Sequence, residues 1–216
     1  MSLQEITTIG DFVAKDFRTA AIFTKYGIDF CCKGQRTIDE VCRKMAIDED
    51  LLLEELNVVL ATKNDSGVDF SSWPLDLLID YIEKTHHRFV EEKTHMLMPL
   101  LDKLCSVHGD NHPELFEINT LFKESAKELA AHMKKEELIL FPFVKEMINA
   151  TNSHGTIGKP QFETVKNPIV AMMNEHEAEG ERFRTISALT HNYTTPEDAC
   201  NTYKVTYALL EEFEQD

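Results

Sequence analysis

No run of eighteen apolar residues occurs anywhere in the sequence, so no segment reads as a membrane-spanning helix. Positive charge is scarce. Lys and Arg total 22 against 38 Asp and Glu, a net charge of −16. A surface of that sign repels phosphate backbones and anionic bilayers, which argues against nucleic acid or a membrane as partner. The alternation expected of strands is nearly missing. Residues 1–17, MSLQEITTIGDFVAKDF, have no basic stretch followed by an apolar one and do not read as a secretory signal. The five cysteines are an odd number without framework spacing and read as reduced thiols, which places the protein in the cytoplasm.

Helical periods are what remain. With 43% hydrophobic and 28% charged residues, the chain has the composition of an ordinary folded protein. Residues 1–62 read as a small helical domain. Gly27 stands where a helix C′ glycine belongs, Thr37 and Glu40 form a capping box, and Asp48 starts an amphipathic helix. The polar stretch 63–72 reads as a linker. Residues 73–216 then hold four long helices with modest loops, the pattern of an antiparallel four-helix bundle. Helix A starts at Pro74 and runs to about Cys105. Helix B follows Pro113 and runs to about Ala150, kinked by Pro142. Helix C takes Asn167 as N-cap and runs to about His191, and helix D opens at Thr195 and Pro196 and runs to the end.

The histidines are distributed along this bundle. Any one of them alone reads as a surface or satisfied core residue. His132 and Glu136, four apart, share one face of helix B, and Glu128 stands one turn earlier. His176 lies in MMNEHEAEGERF, where Gly180 clears space one turn on. A zinc-protease HExxH would need a histidine at position 180, so that reading fails. Imidazoles and carboxylates from several helices suit iron or manganese. Glu128 and Glu175 are candidates for holding the liganding histidines in place. His87 precedes His132 by 45 positions, and the same step from His176 falls at 221. Helix D ends LLEEFEQD, with carboxylates opposing its dipole. The expectation is that the natural chain runs on and that the bundle is C-terminally incomplete.

The stretches THHRFVEE, HMKKEELILFPFV and NEHEAEGERF resemble the hemerythrin-like di-iron bundles. YGIDFCCKGQRTI resembles the small cysteine-pair domain of the bacterial iron–sulfur cluster repair family, and VHGDNHPEL and TTPEDACNTYKVTY fit the same family. The resemblance covers essentially the whole chain. It implies a carboxylate-bridged di-iron centre and a role in restoring iron–sulfur clusters damaged by nitric oxide or peroxide, with damaged iron–sulfur proteins as clients. It implies His87, His132, Glu136 and His176 as metal ligands. The family's last histidine–glutamate pair falls about one turn past Asp216 and has no counterpart, so four of six expected ligands are present. A homodimer exchanging helix D is another source for them. The resemblance also marks the thiols Cys31 and Cys32, although Lys33 stands where the family usually has glycine. Cys42, Cys105 and Cys200 read as packing residues. No catalytic residue is expected, and whether nitric oxide reductase-like chemistry occurs stays open. The alternatives are an oxygen- or nitric oxide-binding sensor of the same fold without repair activity, and a metal-free bundle acting through its cysteine domain.

Overall fold

The computed structural model describes residues 8–30, 33–61, 70–153, 155, 162 and 164–216. Cys31, Cys32 and most of the expected linker lie outside the described residues. Among the described residues there are helices and no strand, the all-α class expected. No described helix is long and apolar enough to cross a membrane. The chain divides into two compact units, Met1–Pro74 and Leu75–Asp216.

The first unit contains α1 (Ile9–Lys15), α2 (Arg18–Lys25), α3 (Ile38–Met45) and α4 (Glu49–Ala61). Reciprocal side-chain caps start two of them. The Thr8 hydroxyl accepts from the Asp11 N–H while the Asp11 carboxylate accepts from the Thr8 N–H, and Thr37 and Glu40 repeat the exchange at α3. Gly27 follows α2 at φ +66°, a conformation that costs glycine nothing. Ile9, Phe12, Phe23, Ile28, Val41, Leu52 and Leu56 form the core. Gly34 has a different reason to be glycine. A Cβ there would sit 2.3 Å from the Phe30 carbonyl oxygen and 3.2 Å from the Gly10 Cα, and the Gly10 N–H donates to the Gly34 carbonyl at 2.8 Å.

In the second unit α5 (Leu75–Tyr81), a π-helical turn (Ile82–His87) and α6 (Arg88–His108) succeed one another without a break. So do α7 (Glu114–Lys135), a second π turn (Glu136–Leu140) and α8 (Phe141–Ser153). With α9 (Lys166–Leu189) and α10 (Asn201–Gln215) these make an antiparallel four-helix bundle. α6 packs on α7 and α10, α7 on α9, and α5 on α8. Its core joins Leu97, Leu101 and Leu104 of α6 to Leu115, Ile118 and Phe122 of α7, Phe183 and Ile186 of α9, and Tyr207, Leu210 and Phe213 of α10.

Three helix boundaries and one cysteine differ from the sequence reading. α9 starts at Lys166, and Asn167 does not cap it; the Asn167 side-chain amide donates to the Phe162 carbonyl at 3.0 Å. α9 also stops at Leu189, followed by three consecutive left-handed residues, His191, Asn192 and Tyr193 (φ 51°, 55° and 56°). α10 starts at Asn201, because Pro196 serves a turn instead, its carbonyl accepting from the Ala199 N–H at 3.1 Å. Cys42 and Cys105 are buried, whereas Cys200 is exposed and is no packing residue.

Candidate metal centre

Two π turns bring the site together. His87 closes the first and Glu136 opens the second. Pro142, six residues after Glu136, has no N–H to give the Leu138 carbonyl, and its ring crowds that oxygen in a regular α-helix. The widened turn over Glu136–Leu140 absorbs this mismatch where the sequence predicts a kink. It also turns the adjacent carboxylates Glu136 and Glu137 toward one imidazole. His87 Nε2 lies 2.9 Å from Glu136 Oε2, and His87 Nδ1 lies 3.0 Å from Glu137 Oε1. Phe141 stacks on the His87 ring at 5.9 Å between centroids and 15° between planes. The imidazole, 7% exposed, therefore has one orientation.

The other oxygen of Glu136 faces a second imidazole. Oε1 is 3.5 Å from His132 Nε2, and His132 Nδ1 donates to Glu175 Oε2 at 2.9 Å. With its Nδ1 proton committed to Glu175, His132 presents a lone pair at Nε2. That nitrogen is 2.9 Å from His176 Nε2. Two imidazole nitrogens bound at right angles, each about 2.1 Å from a shared cation, stand about 3.0 Å apart. Ligating atoms of His132, Glu136 and His176 all lie within 4.8 Å of one another. The donor set therefore fits a cation, and Glu136 turns one carboxylate oxygen toward each of two imidazoles.

Charge in the cluster is balanced tightly. Burial pushes the Glu136 carboxyl up, but the imidazoles of His132 and His87 outweigh it and hold the pKa down to about 2. Burial opposes protonation of His87, and Glu136 and Glu137 overcome it, leaving the ring above the ordinary imidazole value. His132 is raised in the same way against burial, by Glu136 and Glu175. His176, in contrast, keeps exposed surface as a residue, yet burial of its ring, and then the His132 imidazole, hold it below the ordinary imidazole value.

All four residues singled out as ligands, and Glu175, thus meet at one place. Glu128 does not reach it. The carboxylate is solvent-exposed, 3.6 Å from Lys127, although it stands one helical turn from His132. Glu137 was missed by sequence reasoning. Its only signal was its place beside Glu136, since an α-helical wheel sets neighbours about 100° apart.

Residues 77–216 match the family model described as the hemerythrin HHE cation binding domain, and residues 5–60 match ScdA_N, a domain of unknown function. The chain is 32% identical over 208 residues to an iron-sulfur cluster repair protein ScdA of Staphylococcus epidermidis, covering 96% of this chain and 89% of that relative. It is 32% identical over 199 residues to an iron-sulfur cluster repair protein YtfE of Yersinia pseudotuberculosis, covering 92% and 84%. A Staphylococcus haemolyticus relative of the first name is 29% identical over 198 residues, covering 92% and 85%.

Proposed function

The chain belongs to the hemerythrin HHE cation-binding family, and from that premise we propose that it is a di-iron protein repairing iron–sulfur clusters damaged by oxidative or nitrosative stress. The observation that carries this reading is the Glu136 carboxylate divided between His87 and His132, with His176 Nε2 beside the second. His87, His132, Glu136 and His176 would hold the iron in this reading. Bound iron supplies an exchangeable cation for a client cluster and electron transfer with small oxidants.

The protein's own groups set how firmly that iron is held. Nitrogen and carboxylate donors without a thiolate grip iron less firmly than a cysteine cage. Glu137 and Glu175 keep the Nδ1 protons of His87 and His132 in place, so each ring offers Nε2. Clients are damaged iron–sulfur proteins, and the reduced thiols and acidic surface suit the cytoplasm.

The test combines metal analysis with repair. Purified protein should hold iron, and His132→Ala should lower iron affinity at least about tenfold, since losing even a group that only orients a ligand costs about 10–100-fold. The iron-loaded protein should then restore activity to a nitric oxide-treated iron–sulfur dehydratase. Iron binding together with oxygen or nitric oxide binding, but no restoration, would replace repair by the sensor reading. Iron stoichiometry unchanged by His132→Ala would remove the site assignment.

A further inference from the structure

Lys134 and Lys135 are consecutive on α7, and each ends on a different carboxylate of the histidine cluster. Lys134 Nζ donates to Glu137 Oε2 at 2.7 Å, and Glu137 Oε1 accepts from His87 Nδ1 at 3.0 Å. Lys135 Nζ donates to Glu175 Oε1, and Glu175 Oε2 accepts from His132 Nδ1 at 2.9 Å. The same three-part chain, ammonium to carboxylate to imidazole, thus occurs twice. One copy runs from the α7 rod to the π turn that precedes α6, and the other from α7 to α9 and back.

The two copies have a common need. The imidazoles of His87 and His132 are 7% exposed, but Glu137 is 25% and Glu175 35% exposed. A carboxylate that far into water has other rotamers open to it and water to bond with. Left alone, it would hold its imidazole only part of the time. An ammonium on the second oxygen removes that freedom and leaves the first oxygen directed at Nδ1. As exposed ion pairs these contacts would add little to stability. Lys135 and Glu175 also line a cavity of about 430 Å³ beside Ile139, Leu140 and Met172, so this pair forms part of the wall between that space and His132.

We propose that Lys134 and Lys135 are positioning residues for the cation, acting through Glu137 and Glu175 to fix the Nε2 lone pairs of His87 and His132 on the site. The inference rests on the metal-binding reading above. Cobalt(II) is the probe, titrated into the purified full chain and followed by its visible absorption and by competition with a chelator.

Lys135→Ala should weaken cobalt(II) binding about threefold to tenfold, less than the loss of a group touching the ligand itself. Lys134→Ala should do the same and alter the cobalt absorption band, reporting a changed ligand geometry. Lys135→Arg should restore binding, since it keeps charge and donor. In a Glu175→Ala background, Lys135→Ala should have no further effect, because the group it acts through is gone. An affinity unchanged by Lys135→Ala overturns the proposal, as does a loss that persists undiminished without Glu175. Wild-type protein that binds no cobalt(II) or iron overturns both this inference and the metal-binding reading. Wild-type binding that is indifferent to both lysines overturns the inference alone.

Discussion

Cys200 shows how far a single side chain's chemistry depends on its neighbours. It stands at the N-terminus of α10, with His108 Nε2 3.3 Å from its sulfur. The backbone N–H of Tyr203, and then the His108 ring, draw the thiol down to about 7. Alkylation by iodoacetamide should therefore rise with a midpoint near pH 7, and His108→Ala should move that midpoint upward; mass spectrometry of the labelled peptide reads both. A midpoint at the ordinary thiol value of about 8.5 would contradict the geometry. The histidine cluster carries its own dependence on pH. A cation needs unprotonated Nε2 atoms, and His87 and His132 keep their protons above the ordinary imidazole range despite burial, through Glu136 with Glu137 and Glu136 with Glu175. Protons thus compete with the cation, so affinity falls as pH falls, and the decline begins above the usual imidazole value of about 6.5. Glu136, at about 2, stays ionised throughout and adds nothing to this trend. Cobalt(II) titrations between about pH 5.5 and 8 would measure it; affinity flat across that range would be the contrary result.

Among the elements, α10 joins the bundle core through Tyr203, Tyr207, Leu210 and Phe213. Phe213 meets Phe89 of the α6 rod at 6.2 Å, Phe122 of α7 at 5.3 Å and Phe183 of α9 at 5.4 Å between centroids. One side chain thus touches all three neighbouring helices. Phe213→Ala should cost about 3–5 kcal/mol, the usual range for removing a buried aromatic side chain. Chemical denaturation would show it as a lower midpoint with an unchanged slope. A cost below about 1 kcal/mol would mean that α10 closes over the gap or is not packed as described. The π turns are the other device at this scale. Each adds a residue to one turn and shifts the helix phase, and the second directs both Glu136 and Glu137 toward His87.

At the scale of the molecule, each unit has its own core, Ile9 to Leu56 in the first and Leu97 to Phe213 in the second. A fragment spanning Leu75–Asp216 should therefore fold alone, with a helical circular dichroism spectrum and a cooperative melt. It contains His87, His132, Glu136 and His176, and so should bind cobalt(II) as the full chain does. An unfolded or insoluble fragment would show that the bundle needs the first unit.

The sequence by itself determined what depends on near neighbours along the chain. The all-α class comes from helical periods, the start of α3 from Thr37 and Glu40, and the end of α2 from Gly27, since caps and left-handed turns are contacts within a few residues. His132 and Glu136 were visible as a pair because four residues return a helix to nearly the same face. Only the tertiary structure decided which of the 38 acidic residues reach an imidazole. Glu128 has the same spacing from His132 on the other side and points to water, whereas Glu137, off the helical pattern, reaches His87 through a π turn whose phase no spacing rule records. The ends of α9 and α10 were hidden for a related reason. A proline starts a helix or a turn equally well, and the packing of the residues around it selects between them. The assembled cluster belongs to the fold because its groups come from three helices, and only packing sets the 2.9 Å between His132 and His176.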